Sequence, residues 1–296
     1  MATEAYQSFS TARLPLVLCA DDYGLSPGVS RGIAELIAAG RLTATGCMTA
    51  SPFWREEARG LRGLSERADI GLHLTLTDHA PLTGMPRLAP AGRLPSNGRL
   101  VLASLRGSLA EPAVQAELRA EIEAQIDAFE AAFDRPPDFL DGHHHAHQLP
   151  GIGALVIEAF ERRVRPHGGW LRVCREPRAA ILRRGSPLRA LAIDALGATY
   201  AAEVRARGIA ANDSFRGVRS FSPRERPERI FPLFLRGGGR RPLAMCHPGY
   251  VDEVLRGLDP VVDAREAERA YLASAAFAEA LEAAGVRLAR LREIAP

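Results

Sequence analysis

The chain has 296 residues, is 47% hydrophobic and 25% charged, and carries a formal charge of +3. This is ordinary globular composition, long enough for one α/β barrel of about 250 residues, and residues 1–296 are read as a single domain. Every basic residue is an arginine scattered among acids, with no basic stripe interleaved with aromatics, which disfavours nucleic-acid binding; no run approaches the roughly 18 apolar residues of a membrane span.

The N-terminus, MATEAYQSFSTARLPLVLCADD, lacks a basic segment followed by a long apolar core, so no signal peptide is expected and the cytoplasm is the expected location. LPLVLCA is a fully apolar run that ends in the acids of ADDYG, as a buried parallel strand does. SPGVSRGIAELIAAG predicts a helix, with Ser26 as N-cap, Pro27 in the first turn and Gly40 as the stop. RLTATGCMTA reads as a strand, SPFWREEARGLRGL as helical, and ADIGLHLTLT as a strand containing His73. Residues 78–110, rich in Pro, Gly and Arg and without a clear period, read as a long loop excursion near the site that sets substrate choice. The clearest helix covers 111–133, with Val114, Leu118, Ile122, Ile126 and Phe129 at helical spacing.

PDFLDGHHH is a strand running into a loop, PGIGALVIEAFERR a helix and GWLRVCRE a strand. Residues 178–207 read as helical with breaks, and GIAANDSF as a short strand. RPERIFPLFLRGGGRR stays ambiguous apart from a turn at its glycines. PLAMCHPGYVD is a strand-to-loop junction, DAREAERAYLASAAFAEALEAAG a helix and VRLARLREI a last strand.

Strands thus alternate with helices about seven times without a linker, which argues for one α/β domain with a parallel sheet, closed or nearly closed as a barrel. No GxGxxG follows the first strand and no GxxxxGK[ST] occurs, so dinucleotide and P-loop folds are disfavoured. Cys19, Cys47, Cys174 and Cys246 lie far apart in short apolar runs, as buried thiols of a reducing compartment do.

In such a barrel, chemistry gathers at the C-terminal strand ends. Asp21 and Asp22 end the first strand, His73 lies in the third, Asp141, His143, His144, His145 and His147 follow the fourth, and His247 ends a later one. One carboxylate and two imidazoles suit a divalent ion with open positions. Adjacent acids cannot both face one point of a regular strand, so one of Asp21 and Asp22 is free to bind the ion while the other serves as a base. By the same alternation His143 and His145 share a side, with His144 on the other, and the residues alone do not choose between them.

ADDYGLSPGVSRGI, GLHLTLT, LDGHHHAH and CHPGYVD, in that order over most of the chain, resemble the YdjC-like (ChbG/HpnK) carbohydrate deacetylases. The chain departs from the family pattern at Tyr23, usually Phe, and at Gly142, usually Ser. The resemblance implies a single distorted TIM-like (β/α) barrel with mainly parallel strands and one divalent metal ion, Mg, Zn or another transition metal. It implies Asp22, His73 and His143 as ligands and Asp21 as general base. The implied activity is hydrolysis of the N-acetyl group of an amino sugar or oligosaccharide, chitooligosaccharide-like or lipid-linked.

His247 is then the candidate acid for the leaving amine. Arg172 is placed to orient Asp21 or bind substrate, Asp141 to accept a hydrogen bond from a ligand imidazole, and His145 and His147 to support the ligands. Trp170, Phe53, Trp54 and Tyr250 are candidates for stacking on sugar rings, with core packing the better expectation for at least two. The alternatives are another metal-dependent barrel hydrolase, a phosphoesterase or amidohydrolase, and a non-enzymatic metal- or carbohydrate-binding protein. The absence of lysine counts against a lysine-bridged binuclear centre. An N-acetylated sugar is the expected partner; a homodimer is compatible with the sequence, which does not by itself establish one.

Overall fold

The computed structural model describes residues 13–183, 186–222 and 224–295, so most of the N-terminal stretch read for a leader lies outside the described residues. The strands are β1 (Leu14–Tyr23), β2 (Ala44–Cys47), β3 (Asp69–Leu74), β4 (Phe139–Gly142), β5 (Trp170–Leu171), β6 (Ser214–Arg216), β7 (Pro242–Cys246) and β8 (Val286–Leu288). They form one parallel sheet in the order β5-β4-β3-β2-β1-β7-β6, with β8 added beside the start of β1.

The sheet curls until its two edges meet. Leu171 N–H donates to Ala210 O (2.9 Å) and Phe215 N–H donates to Arg175 O (2.9 Å). Between them the Asn212 side chain bonds both the N–H and the C=O of Val173, at 2.8 Å each. The result is a distorted (β/α) barrel whose seam between β5 and β6 is held by a few bonds.

Twelve helices surround the sheet among the described residues: α1 (Pro27–Ala38), α2 (Trp54–Glu57), α3 (Asn97–Leu105), α4 (Pro112–Phe133), α5 (Gly153–Arg163), α6 (Arg178–Ile181), α7 (Pro187–Leu196), α8 (Ala198–Ala206), α9 (Pro227–Leu235), α10 (Glu253–Leu258), α11 (Asp263–Ala273) and α12 (Ala275–Ala283). Ser26 caps α1 by accepting from Val29 N–H (3.2 Å), Pro27 fills a position that needs no donor, and the chain turns away at Gly40 with φ +68°. The apolar face of α4, Leu118 to Phe129, is buried as its spacing predicts.

That same face of α4 also buries Glu121 and Gln125. Glu121 accepts from the N–H groups of Leu82 (3.0 Å) and Thr83 (2.8 Å), and Gln125 bonds both backbone groups of Thr75. The segment after β3 is therefore anchored to α4. It is also not the structureless excursion expected for 78–110: Asn97–Leu105 is helical as α3, with Ser108–Ala110 a 3₁₀ turn. Its apolar residues Leu100, Val101, Leu102 and Ala103 are consecutive rather than at helical spacing, and only Leu100 and Ser104 of α3 are buried, which left the period weak.

Other boundaries differ from the sequence reading. The strand read in GIAANDSF begins only at Ser214, the ambiguous stretch forms α9 around Pro232, and Asp252 caps the unforeseen α10 by accepting from Leu255 N–H (2.7 Å). The long C-terminal helix is two, because Ser274 leaves helical geometry and caps α12.

Candidate metal centre and catalytic site

Asp21 and Asp22 diverge because the end of β1 is irregular. Its register with β2 shifts between Ala20 and Tyr23, and Asp22 takes φ +70°, a left-handed conformation that Asp tolerates better than most residues. Asp21 turns toward β5, where Arg172 donates to both its oxygens (2.6 and 2.8 Å). Asp22 turns toward β4: its Oδ1 lies 2.8 Å from His143 Nδ1 and 3.3 Å from His73 Nε2. Its Oδ2 accepts from Arg265 of α11 (2.6 Å).

His73 on β3 and Asp141 on β4 are register partners, and His73 Nδ1 lies 2.7 Å from Asp141 Oδ1. That contact leaves Nε2 facing Asp22. Gly46 on β2 makes room for the pair: a Cβ there would lie 3.0 Å from His73 Nδ1 and 3.1 Å from Asp141 Oδ1. Arg172 Nη2 also reaches Asp141 Oδ2 (2.7 Å), so one fully buried guanidinium ties Asp21 to Asp141.

Strand alternation does not extend into the histidine run. His143–Gln148 coils as a 3₁₀ turn, with His144 and His145 at φ +54° and +60°. His143 alone of the four faces Asp22 and His73, so His143 and His145 do not share a side, correcting the expectation. His144 Nδ1 sits 2.9 Å from Thr77 Oγ1 near the cavity mouth. His145 is set against Cys174 Sγ (3.6 Å) and the Phe215 ring. His147 is buried, its Nε2 3.1 Å from Arg172 O, so it steadies the backbone that carries Arg172 rather than touching His73 or His143. At Gly142 a Cβ would come within 3.0 Å of His147, a close approach that glycine relieves.

The charges are tightly matched. Burial alone would raise the Asp21 carboxyl, but Arg172 overrides it and holds Asp21 well below the usual carboxylate range. Asp22 is likewise held low against its burial, by Arg265 first and His143 second. Burial would lower His73, yet Asp141 and Asp21 push it up to about 10. His247, just after β7, is depressed by burial; its Nε2 lies 4.0 Å from Asp21 Oδ2, and its Nδ1 has no hydrogen-bond partner among the described residues.

These groups floor a cavity of about 640 Å³, within the range of small-molecule sites. Asp21, Asp22, His73, His143 and His247 lie at its base, with His79, Arg93, Arg189 and Phe221 among its walls. Of the aromatics proposed for stacking, Trp170 packs on Phe139 at 4.2 Å, Trp54 on Phe129 and Phe133, and Tyr250 sits outside between Arg31 and Arg269. Neither these nor Phe53 lines the cavity. Phe221 does, edge-on to His247 at 5.0 Å and with φ +59°.

Sequence reading missed Phe221, Arg265 and Glu268. The last two share the buried face of α11 with Leu272, and Glu268 accepts from the His247 N–H (2.6 Å) and from Arg219 (2.8 Å). Charged residues at i and i+3 on an otherwise core-facing helix stripe were the available signal.

Asp22, His73 and His143 each offer one ligand atom, all within 4.8 Å of one another and all buried. A second such group, Cys19, Asp21 and Asp141, has Arg172 within 3.0 Å of each, so a guanidinium is its counter-cation.

Fold and site together define a (β/α)-barrel protein with a carboxylate–imidazole cluster at the carboxyl ends of its strands. The family model described as YdjC-like protein matches residues 15–283, and the chain belongs to that family. It is 26% identical over 282 residues to a carbohydrate deacetylase of Geobacillus stearothermophilus, covering 94% of this chain and 96% of that protein. It is 34% identical over 147 residues to a chitooligosaccharide deacetylase of Yersinia pestis, 50% of this chain and 55% of that protein. A solved Enterococcus faecalis structure, provisionally assigned as a cellobiose-phosphate cleavage protein, superposes with TM-score 0.70 at 22% identity, covering 95% of this chain and 98% of that one.

Proposed function

We propose that this protein is a metal-dependent carbohydrate N-deacetylase, hydrolysing the acetamide of an amino sugar to acetate and a free amine. The observation that carries the reading is the meeting, at the floor of one cavity, of Asp22, His73 and His143 with an Asp21 that is kept ionised. The names of the two deacetylase relatives support the substrate class.

The donor set fits a divalent ion. Two imidazoles and a carboxylate converge with buried ligand atoms, and the ring of His73 is oriented from behind by Asp141. This set favours Zn²⁺, Mn²⁺, Fe²⁺, Co²⁺ or Ni²⁺ over Mg²⁺. An ion held there supplies Lewis acidity, making water a stronger acid and the amide carbonyl a better electrophile.

The chain's own residues do the rest. Asp21 accepts the proton of the attacking water. Its depressed pKa keeps the Asp21 carboxylate ionised at every working pH and makes it a weak base, suited to water that a bound ion would acidify. Arg172 fixes the plane of that carboxylate through two bonds. His247 Nε2 lies 4.0 Å from Asp21 Oδ2, and its depressed pKa leaves it neutral at rest, so it takes up the proton that Asp21 accepts from water and passes it on to the leaving amine. Phe221 offers an aromatic edge beside His247 for a sugar ring. The four free, buried cysteines support a reducing compartment such as the cytoplasm.

The guanidinium in the Cys19–Asp21–Asp141 group weighs against a two-metal hydrolase. The test is acetate release from N-acetylglucosamine oligomers by chelator-treated protein resupplied with single divalent ions. Restoration by an ion supports the reading. No release with any ion, from protein that binds one ion per chain, overturns the substrate class.

A further inference from the structure

Asp22 is gripped from both sides. Its Oδ1 faces the two imidazoles, while its Oδ2 accepts from Arg265 Nη2 at 2.6 Å. The same Nη2 reaches Asp259 Oδ2 (2.5 Å), and Arg265 Nε donates to Val261 O (3.1 Å). Arg265 is therefore fixed by three anchors: the end of β1, the loop after α10, and the turn into its own helix α11. It is almost wholly buried, as is Asp22.

We infer that Arg265 is a positioning residue for the metal ligand Asp22, and this rests on the metal-dependent reading above. Asp22 stands in a left-handed conformation at a break in strand register, where the strand ladder does not set the direction of its carboxylate. The guanidinium does. With Oδ2 occupied, Asp22 presents Oδ1 alone toward His73 and His143, and the protein contributes three ligand atoms, leaving the remaining positions for water and substrate. Asp259 balances the arginine's charge, so Asp22 keeps its negative charge without the full positive field of an unpaired guanidinium beside the ion.

The test loads the full-length protein with Co²⁺, whose visible absorption reports ligand number and arrangement. Arg265→Gln and Arg265→Lys are compared with the parent, with Asp259→Asn as a variant that loosens the grip from the far side and touches no proposed ligand. Circular dichroism establishes that each is folded. Arg265→Gln is expected to bind Co²⁺ about 10–100-fold more weakly, the usual size of such effects, and to change its absorption bands. Arg265→Lys keeps the charge but loses the Nε bond to Val261 O that fixes the guanidinium, and should recover part of the affinity. Asp259→Asn should change the bands in the same direction by less.

A folded Arg265→Gln protein with parental affinity and bands overturns the inference, even if it melts earlier, because a purely structural arginine would behave that way. If Arg265→Gln does not fold, unchanged bands and affinity in Arg265→Lys and Asp259→Asn overturn it equally. His143→Ala is the control for the underlying reading. If His143→Ala binds Co²⁺ like the parent, the metal assignment has failed, and it has done so independently of Arg265.

Discussion

His73 and Asp141 are register partners on adjacent parallel strands, and their side chains meet at 2.7 Å between Nδ1 and Oδ1. This contact sets which imidazole nitrogen faces Asp22, because the hydrogen bond made by one ring nitrogen fixes the role of the other. Asp141→Asn exchanges a charged acceptor for an amide and halves the acid held by Arg172. It is expected to lower metal affinity about 10–100-fold, measured by competition with a chromogenic chelator, while the fold survives by circular dichroism.

Gly46 is a packing requirement of that pair. Gly46→Ala puts a methyl 3.0 Å from both Cβ and Nδ1 of His73, so the ring must retreat by a few tenths of an ångström. Overpacking of this kind costs about 1–3 kcal/mol. The expected outcome is a modest fall in melting temperature together with a larger loss of metal affinity than a methyl elsewhere on β2 would cause; equal affinity would show the pair has slack.

Asp21 and His247 should separate binding from turnover. Asp21→Asn is expected to keep the ion and lose about 10²–10⁴ in kcat, the usual worth of a general base, and His247→Asn to lose a comparable factor with the ion retained. Metal stoichiometry and steady-state kinetics read this. Full activity in Asp21→Asn would remove it from the mechanism.

Phe221 holds φ +59°, where a bulky side chain is an outlier. Such strain persists when the side chain's position is needed. Phe221→Ala should raise KM for an amino-sugar oligomer several-fold with little change in kcat, whereas Phe221→Gly should raise KM likewise while relieving the backbone. Unchanged KM in both variants would place the sugar elsewhere in the cavity.

His147 predicts a pH dependence of stability. Burial pushes it down from 6.5 to about 4. Above pH 6.5 neither the folded nor the unfolded state holds its proton. As pH falls from 6.5 toward 4 the unfolded state gains a proton that the folded state refuses, so stability is lost across that window and the loss levels off below it. The size is a few kcal/mol, at about 1.4 kcal/mol per unit. His147→Gln should flatten the acid limb of a melting-temperature profile between those two values, relative to the parent.

Much of this protein was legible in local patterns. The apolar runs ending in ADD, DGHHH and MCHP read as strands entering a site, and the caps at Ser26 and Pro27 read as a helix start, because neighbours within a few residues determine such elements. The helix at 97–105 was not legible, since only Leu100 and Ser104 mark its buried side. Core packing, the better expectation for at least two of the stacking candidates, holds for Trp54 and Trp170, while Phe53 and Tyr250 do not line the cavity, because composition does not separate one ring's surroundings from another's.

The sequence by itself determined that the barrel would be parallel and that acids and imidazoles would crowd its carboxyl end. Which of them face one another was decided by tertiary structure. The register break turns Asp22 away from Asp21, the left-handed His144 and His145 leave His143 alone at the cluster, and Arg265 meets Asp22 across 243 residues of chain. Strand and helix periods follow from backbone geometry repeated over neighbouring residues. The direction of a side chain at a strand's end depends on what long-range packing brings against it, and no local pattern carries that.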